Sequence, residues 1–149
     1  MLNNKSILIT GGTGSFGNAC VSYILKNYPK VKRLIIYSRD ENKQSEMQKR
    51  FSPDKYKSLR YFIGDIRDGE RLKIATRKTD IIIHAAAMKQ VPASEYNPEE
   101  AIKTNINGAQ NIIKASILNN IEKLVFLSTD KACSPINLYG ATKLCAEKL

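Results

Sequence analysis

Four short apolar runs constrain the fold of this 149-residue chain most strongly. They read ILIT, LIIY, IIIHA and LVFLST, and none of them alternates apolar with polar residues. A strand with one exposed face alternates with a period of two, whereas a strand of a parallel sheet is covered on both faces and is apolar throughout. The runs therefore predict a central parallel sheet covered by helices.

Five strands are predicted, with helical segments between them. The predicted strands are Ser6 to Thr10, Leu34 to Ser38, Tyr61 to Asp65, Asp80 to Ala87 and Leu124 to Thr129. Helical spacing or composition covers Asn18 to Asn27, Asn42 to Phe51, Gly69 to Arg77, Pro98 to Asn119 and the segment from Tyr139 onward. This alternation predicts an α/β fold with a doubly wound parallel sheet and right-handed crossovers.

Charge and apolar content narrow the partners that we expect. The net charge is +10, but the lysines and arginines are spread along the chain without a basic helix or an aromatic platform, so we expect no nucleic-acid partner. No apolar run approaches the roughly 20 residues of a membrane span, and no secretory signal is evident, so we expect no membrane partner and a cytoplasmic protein. Cys20, Cys133 and Cys145 have no metal-binding spacing and are expected to be reduced thiols, with no metal site.

The stretch ITGGTGSFGN follows the first predicted strand and leads into the first predicted helix. Gly11, Gly14 and Gly17 recur at every third position, which allows a tight turn and a close approach of backbone N–H groups to a pyrophosphate at the helix N-terminus. Thr13, Ser15 and Phe16 are expected to line the phosphate side. In this context the motif predicts a Rossmann-like dinucleotide site rather than an empty glycine turn.

The end of the second strand, IIYSRDENK, bears on which dinucleotide is bound. NAD enzymes place an acidic residue here against the ribose hydroxyl, whereas a 2′-phosphate needs cations. Ser38 and Arg39 occupy this position, and Lys43 adds a second charge one turn later. NADP is favoured, and NAD stays open because Asp40 could serve a ribose hydroxyl.

The ends of the third and fourth strands, GDIRD and HAAAMKQVP, fall where a doubly wound sheet meets its ligand. Asp65 and Ile66 are expected beside adenine. The small residues Ala85, Ala86 and Ala87 would let a cofactor lie against the backbone, and Lys89 would face either the far end of the cofactor or a substrate phosphate. His84 follows three isoleucines and is predicted to be a hydrogen-bonded core residue rather than a catalyst.

Tyr139 and Lys143 are four positions apart and therefore share a helix face, in the pattern Y-x-x-x-K. A tyrosine with a pKa of about 10 is a poor base at neutral pH. A neighbouring ammonium and a positively charged nicotinamide both favour the phenolate. The pair predicts a tyrosine that removes a hydroxyl proton as hydride leaves, with both side chains also in contact with the cofactor.

Together these motifs resemble the extended branch of the short-chain dehydrogenase/reductase superfamily, along the whole chain. Within it, the stretches YSRDENKQ, HAAAMKQVP, EYNP, TNINGAQN and STDKACSPINLYGATKL resemble the UDP-N-acetylglucosamine 4,6-dehydratase (inverting) family of bacterial flagellin-glycan synthesis. The resemblance implies a hydro-lyase of polysaccharide biosynthesis that acts on a UDP-sugar. It also implies a homo-oligomer in the full-length protein.

The resemblance also implies roles for Thr129, Asp130 and Lys131. Thr129 stands where these dehydratases hold the reacting oxygen of the substrate. Most hexose 4,6-dehydratases continue with Asp-Glu, and the Asp-Lys pair found here marks the inverting branch. Asp130, as a neutral acid, would protonate the departing C6 hydroxyl, and Lys131 would remove the C5 proton if burial beside Lys143 lowered its pKa.

The family pattern implies that residues 1–149 are an NADP-binding domain, incomplete at its C-terminus, and that a substrate domain is absent. In agreement, the last helical pattern reaches Leu149 without a stop signal. Two alternatives stay open at this point. One is a nucleotide-sugar epimerase or reductase of the same superfamily, and the other is a non-catalytic NADP-binding module or basic nucleic-acid binder.

Overall fold

Five parallel strands form one sheet in the order β3-β2-β1-β4-β5. The computed structural model describes residues 1–149. The strands are β1 (Ser6–Thr10), β2 (Arg33–Ser38), β3 (Leu59–Ile63), β4 (Ile81–His84) and β5 (Lys123–Phe126). The central strand β1 pairs with β2 on one side and with β4 on the other, so the strand order reverses there. The predicted doubly wound parallel sheet is confirmed.

Seven α-helices connect or follow the strands. They are α1 (Ser15–Asn27), α2 (Glu41–Arg50), α3 (Gly69–Ala75), α4 (Val91–Tyr96), α5 (Pro98–Ile102), α6 (Gly108–Leu118) and α7 (Leu138–Lys148). A π-helical turn at Lys103–Asn107 joins α5 to α6, and a 3₁₀ turn at Asp130–Ala132 precedes α7. The sequence pattern did not separate α4, and it merged α5, the π turn and α6 into one helix because their composition is continuous.

Apolar side chains from successive residues of β1 enter opposite sides of the sheet. Ile7 and Ile9 belong to a core cluster with side chains of α1 and α2, whereas Leu8 belongs to a second cluster with side chains of α3 and α6. Because side chains alternate along a strand, an unbroken apolar run supplies both clusters. The sheet is therefore covered by helices on both faces at its centre.

Three predicted strands extend too far toward the carboxyl edge of the sheet. β3 ends at Ile63 rather than Asp65, β4 ends at His84 rather than Ala87, and β5 ends at Phe126 rather than Thr129. The residues past these ends leave the ladder and form the loops that carry the polar groups. The expected cover on both faces is also wrong for β5, where Val125 is 49% exposed because the strand lies at the edge of the sheet.

No helix in the chain combines the length and the apolar character that crossing a lipid bilayer requires.

The carboxyl ends of all five strands meet at one edge of the sheet, which we call the carboxyl edge. The opposite edge, where the strands begin, is the amino edge. In a doubly wound sheet ligands bind beyond the carboxyl edge, at the point where the strand order reverses.

Candidate active site

A cavity of about 520 Å³ opens at the carboxyl edge. It is lined by residues from the glycine turn, from the ends of β2, β3 and β4, and from α7. Its lining includes sixteen of the predicted site residues: Gly11, Thr13, Gly14, Ser15, Phe16, Ser38, Arg39, Lys43, Asp65, Ile66, Ala85, Ala86, Ala87, Lys89, Tyr139 and Lys143. The structure thus brings most of the predicted site to one place, while the role of each residue stays a prediction.

The glycine turn after β1 is shaped by close backbone contacts. Gly11 has a φ of +64°, and a Cβ atom there would lie 2.8 Å from the Ala86 backbone nitrogen. At Gly17 a Cβ atom would lie 2.2 Å from the Gly12 carbonyl oxygen, so α1 packs directly against the turn. Gly17 is buried and does not line the cavity, and its role is to bring the two backbones together.

The N-terminus of α1 is suited to an anion. Gly14 is the N-cap residue and offers no side-chain hydrogen bond to the first turn, which also contains no acidic residue. The first N–H groups of a helix point away from its ladder and carry about half a positive charge between them. Gly14 and Ser15 line the cavity at this point, so the turn fits a pyrophosphate.

The end of β2 presents its cations to the cavity and uses its carboxylate to cap a helix. The Asp40 carboxylate accepts a 2.9 Å hydrogen bond from the Lys43 backbone nitrogen and caps α2, and this bond lowers the pKa of Asp40. The Arg39 side chain is 69% exposed, and its guanidinium lies 3.7 Å from Asp65. Ser38 is buried and is held by Gln44, whose Nε2 donates to its carbonyl and hydroxyl oxygens at 3.0 Å.

Asp65 is held in place by Arg67. The guanidinium donates to the carboxylate at 2.7 and 3.0 Å, and the Arg67 backbone nitrogen donates at 2.9 Å. Burial by itself would raise the pKa of Asp65, but these hydrogen bonds and charges outweigh it and lower the pKa. Ile66 follows as a buried residue beside Gly108, where a Cβ atom would lie 2.6 Å from its Cδ1.

Tyr139 and Lys143 lie on α7 and face the cavity. Lys143 is only 4% exposed, and its Nζ donates a 2.5 Å hydrogen bond to the Leu127 carbonyl oxygen and lies 3.8 Å from the centre of the Phe126 ring. Burial lowers the pKa of Lys143 to about 8, with a smaller opposing effect from Glu147. The lysine therefore keeps its charge at neutral pH but holds its proton less tightly than an exposed lysine.

His84 is a core residue, as predicted. It is 1% exposed, and its Nδ1 shares a 2.6 Å hydrogen bond with the Thr10 hydroxyl. Burial, followed by the charge of Lys143, lowers the pKa of His84 to about 3, so the ring is neutral at physiological pH. The Thr10 hydroxyl also accepts hydrogen bonds from the Ala85 and Ala86 backbone nitrogens, which fixes the small-residue wall of the cavity.

Thr129, Asp130 and Lys131 form a turn outside the cavity lining, in which Thr129 is half-buried and the other two residues are exposed. Lys131 is not buried beside Lys143 as expected, because its side chain is 49% exposed and its Nζ lies 3.5 Å from Asp130. Asp130 is also not the expected neutral acid. A hydrogen bond from the Thr129 hydroxyl, followed by the charge of Lys131, lowers its pKa, so it is a carboxylate at neutral pH.

A buried amide that sequence analysis missed joins two walls of the site. Asn105, on the π turn, is 2% exposed. Its side-chain oxygen accepts from the Met88 backbone nitrogen at 2.8 Å, and its nitrogen donates to the Met88 carbonyl oxygen at 2.9 Å and to the Thr142 hydroxyl at 3.0 Å. The loop after β4 is thereby tied to the helix of Tyr139 and Lys143. The only sequence signal was a polar residue within an apolar helical pattern.

Comparison with known proteins gives the chain close relatives along its whole length. The family model described as polysaccharide biosynthesis protein matches residues 7–149. The chain is 60% identical over 149 residues to a UDP-N-acetylglucosamine 4,6-dehydratase (inverting) of Campylobacter jejuni subsp. jejuni serotype O:23/36, covering 100% of this chain and 43% of that protein. It is 47% identical over 151 residues to a UDP-glucose 4-epimerase of Rickettsia bellii, and the match covers 100% of this chain and 43% of that protein.

Solved structures show the same fold. Pen from Bacillus thuringiensis matches with a TM-score of 0.93 and 45% identity, covering 99% of this chain and 44% of that one. DesIV, a dTDP-glucose 4,6-dehydratase from Streptomyces venezuelae solved with NAD bound, matches with a TM-score of 0.82 and 25% identity, covering 96% and 49%. The chain spans less than half the length of the relatives that it matches. These similarities confirm the resemblance that the motifs indicated.

Proposed function

The chain belongs to the polysaccharide biosynthesis protein family, and we propose that it forms the NADP-binding part of a UDP-N-acetylglucosamine 4,6-dehydratase that inverts C5. The observation that carries this proposal is the single cavity that runs from the glycine turn to Tyr139 and Lys143. The 60% identity to a named inverting dehydratase supports the choice of reaction. Substrate contacts from outside these residues are part of the proposal, because the relatives are more than twice as long as this chain.

Three features of the β2 end support NADP over NAD. Arg39 and Lys43 line the cavity with their charges largely exposed, at 69% of each side chain. Asp40, the alternative partner for a ribose hydroxyl, already accepts the capping hydrogen bond of α2. A phosphate would gain two cations here, and the guanidinium fork of Arg39 suits phosphate geometry.

Tyr139 and Lys143 serve the first stage of the proposed reaction. Bound NADP, held by the glycine turn and the end of β2, would supply a hydride acceptor for sugar C4 and a hydride donor for C6. The phenolate of Tyr139 removes the proton of the C4 hydroxyl, and the Lys143 ammonium stabilises the phenolate. The 2.5 Å hydrogen bond to the Leu127 carbonyl oxygen holds the ammonium in place. A pKa of about 8 lets Lys143 remain cationic at neutral pH.

Lys131 and Asp130 serve the elimination stage of the proposal. The C4 ketone acidifies the C5 hydrogen, Lys131 removes that proton, and the C6 hydroxyl leaves as water. As C6 regains the hydride, a proton returns to the opposite face of C5, which inverts that centre. Lys131 must lose its own proton first, which closure of the site over the turn would favour by removing water from a side chain that is now 49% exposed. Closure would likewise raise the pKa of Asp130 toward the value that a proton donor to the leaving hydroxyl needs. Thr129 positions the substrate beside this pair.

The test of the proposed function is the product of the intact protein on UDP-N-acetylglucosamine. Mass spectrometry should show loss of one water from the sugar nucleotide, and NMR should show a 4-keto-6-deoxy sugar with inverted C5. The reaction should proceed without net consumption of added NADP. A product of unchanged mass would refute the dehydratase proposal.

A 4-epimerase is the second candidate, because a UDP-glucose 4-epimerase is 47% identical over the chain. An epimerase uses Tyr139 and Lys143 in the same way but needs no base at Lys131. It returns a sugar nucleotide of unchanged mass with inverted C4. The same mass and NMR measurement therefore separates the two candidates, and replacement of Lys131 would leave an epimerase active.

A further inference from the structure

The amino edge of the sheet, opposite the cavity, gathers basic residues that are far apart in sequence. Six exposed cations without a carboxylate partner lie on the segments that lead into or open β2, β3, β4 and β5. They are Lys30, Lys32, Lys57, Arg77, Lys78 and Lys123, and we call them the amino-edge patch. Their scatter along the chain gave no sign of a basic surface, but parallel strands bring all of these segments to one edge.

Hydrogen bonds between the loops hold the patch together. The Arg33 guanidinium donates to the carbonyl oxygens of Arg77 and Lys78 at 2.7 and 2.5 Å. The Lys32 backbone nitrogen donates a 3.0 Å hydrogen bond to the Lys5 carbonyl oxygen, which ties the loop before β2 to the start of β1. The Arg33 guanidinium thus binds backbone carbonyl oxygens and no carboxylate. Its positive charge adds to the charges of Arg77 and Lys78.

The six cations of the patch outnumber the carboxylates on the same segments, which are Asp54, Asp80 and Glu122. Asp80 accepts a 2.6 Å hydrogen bond from the Ser6 backbone nitrogen, and Glu122 pairs with Lys5 at 2.6 Å. At the carboxyl edge, in contrast, cations such as Arg67 pair with neighbouring carboxylates. The amino edge therefore carries a group of unpaired cations that is separate from the cations lining the cavity.

We propose that the amino-edge patch docks the protein on an anionic lipid bilayer. Four strand spacings separate β3 from β5, so the patch extends over roughly 20 Å of a single edge, which a planar surface contacts all at once. Five of its six residues are lysines, whose hydrated point charges suit an unspecific anionic surface. The exposed aromatic residues Phe16, Tyr23 and Tyr96 lie outside the segments that form the patch, whereas single-stranded nucleic acid is bound on aromatic platforms. Docking by this edge leaves the cavity open to soluble ligands, and it does not depend on the proposed reaction.

Vesicle co-sedimentation of the intact protein tests the proposal. The protein should bind vesicles that contain phosphatidylglycerol, should not bind pure phosphatidylcholine vesicles, and should be released as salt is raised. A lysine near an anionic surface contributes about fivefold to the partition coefficient, so the double variant Lys32→Gln with Lys57→Gln should lose about 25-fold. The matched control, Lys103→Gln with Lys114→Gln, makes the same change in net charge away from the amino edge and should lose less than about threefold.

Three results would overturn the proposal. One is absence of binding to phosphatidylglycerol vesicles at low salt. Another is an equal loss in both double variants, which would mean that net charge alone causes binding. The third is tighter binding to duplex DNA than to the vesicles, which would assign the patch to nucleic acid. Circular dichroism of both variants checks that the fold is retained.

Discussion

The glycine turn and the Thr129–Lys131 turn both lie near the carboxyl edge, and they are built in different ways. The glycine turn is fixed by backbone contacts so close that a Cβ atom at Gly11 or Gly17 would clash with main-chain atoms. The Thr129–Lys131 turn is held by side-chain hydrogen bonds at the surface, and the Asp130 side chain is 88% exposed. One region is shaped before any ligand arrives, whereas the other has its reactive groups in water.

This difference indicates which of the two turns would need removal of water before its groups could act. A pyrophosphate site works with fixed N–H groups, which the backbone supplies in any solvent. An acid and a base need shifted pKa values, and these require removal of water. The proposed acid–base turn would therefore depend on substrate and on closure in a way that the proposed cofactor turn would not.

The largest expected effect comes from Gly14→Val, which challenges the cofactor region directly. A Cβ atom at Gly14 has its nearest contact at 3.2 Å, with the Gly11 carbonyl oxygen, so the fold should tolerate the change. The branched side chain would enter the cavity where a pyrophosphate lies, and dinucleotide binding should fall below detection in calorimetry. The thermal unfolding midpoint should stay close to that of the parent.

The matched control for this change is Ala19→Val, which adds a branched side chain to an exposed position of α1 outside the cavity. It should bind dinucleotide as the parent does. Undiminished binding by Gly14→Val would show that the cofactor does not use this turn.

A second prediction concerns Lys143, a catalytic candidate that, unlike Lys131, is already buried. Its burial should make the free energy of unfolding depend on pH. Its pKa is about 8 in the fold against 10.5 for the free side chain. Between these values the unfolded chain still holds the proton that the folded chain has lost, so the free energy of unfolding should rise with pH by about 2–3 kcal/mol. Below pH 8 both states are charged, and the penalty of burial is fully present.

Urea denaturation at pH 7 and pH 10.5 measures this rise. Lys143→Met should remove it, whereas Lys148→Met, an exposed lysine on the same helix, should retain it. The same pH dependence in the parent and in Lys143→Met would mean that Lys143 is not the buried group that titrates.

The smallest expected effect is the discrimination between cofactors at Arg39. Arg39→Ala should weaken NADP binding by about 10- to 100-fold, because one hydrogen bond to a charged group contributes about 1.5–3 kcal/mol. NAD binding should change by less than about threefold. Arg39→Lys, which keeps the charge but loses the fork, should lie between parent and Arg39→Ala. Equal losses for both cofactors would remove the argument for NADP.

The cofactor region was predictable because its determinants are local. Three spaced glycines after an apolar run can be recognised without tertiary contacts, and most of the predicted residues meet at one cavity. The parallel sheet, with helices on both faces at its centre, followed from the unbroken apolar runs in the same way. Strand ends were less certain, as at β4, where Ala85 to Ala87 continue the apolar pattern although the strand ends at His84.

What the sequence could not supply was the solvent exposure of polar groups. Lys131 and Lys143 are lysines that lie on either side of Tyr139 in the sequence. The side chain of Lys131 is nevertheless 49% exposed, whereas Lys143 is 4% exposed. Packing against Phe126 and Leu127 decides this, and it depends on β5 and α7 together. The buried Asn105 and the amino-edge patch were missed for the same reason, since each joins segments that are distant in sequence.

Solvent exchange at C5 tests the central claim, that cofactor binding and the proposed proton transfer at C5 reside in separate regions of this chain. The intact Lys131→Ala protein, incubated with UDP-N-acetylglucosamine in deuterated water, should bind cofactor and substrate with parent affinity. It should lose about 100- to 10,000-fold in the rate of deuterium incorporation at C5. Tyr139→Phe should instead block the earlier hydride step, seen as the absence of transient nicotinamide reduction. Incorporation of C5 deuterium by Lys131→Ala at the parent rate would contradict the account and place the base outside the Thr129–Lys131 turn.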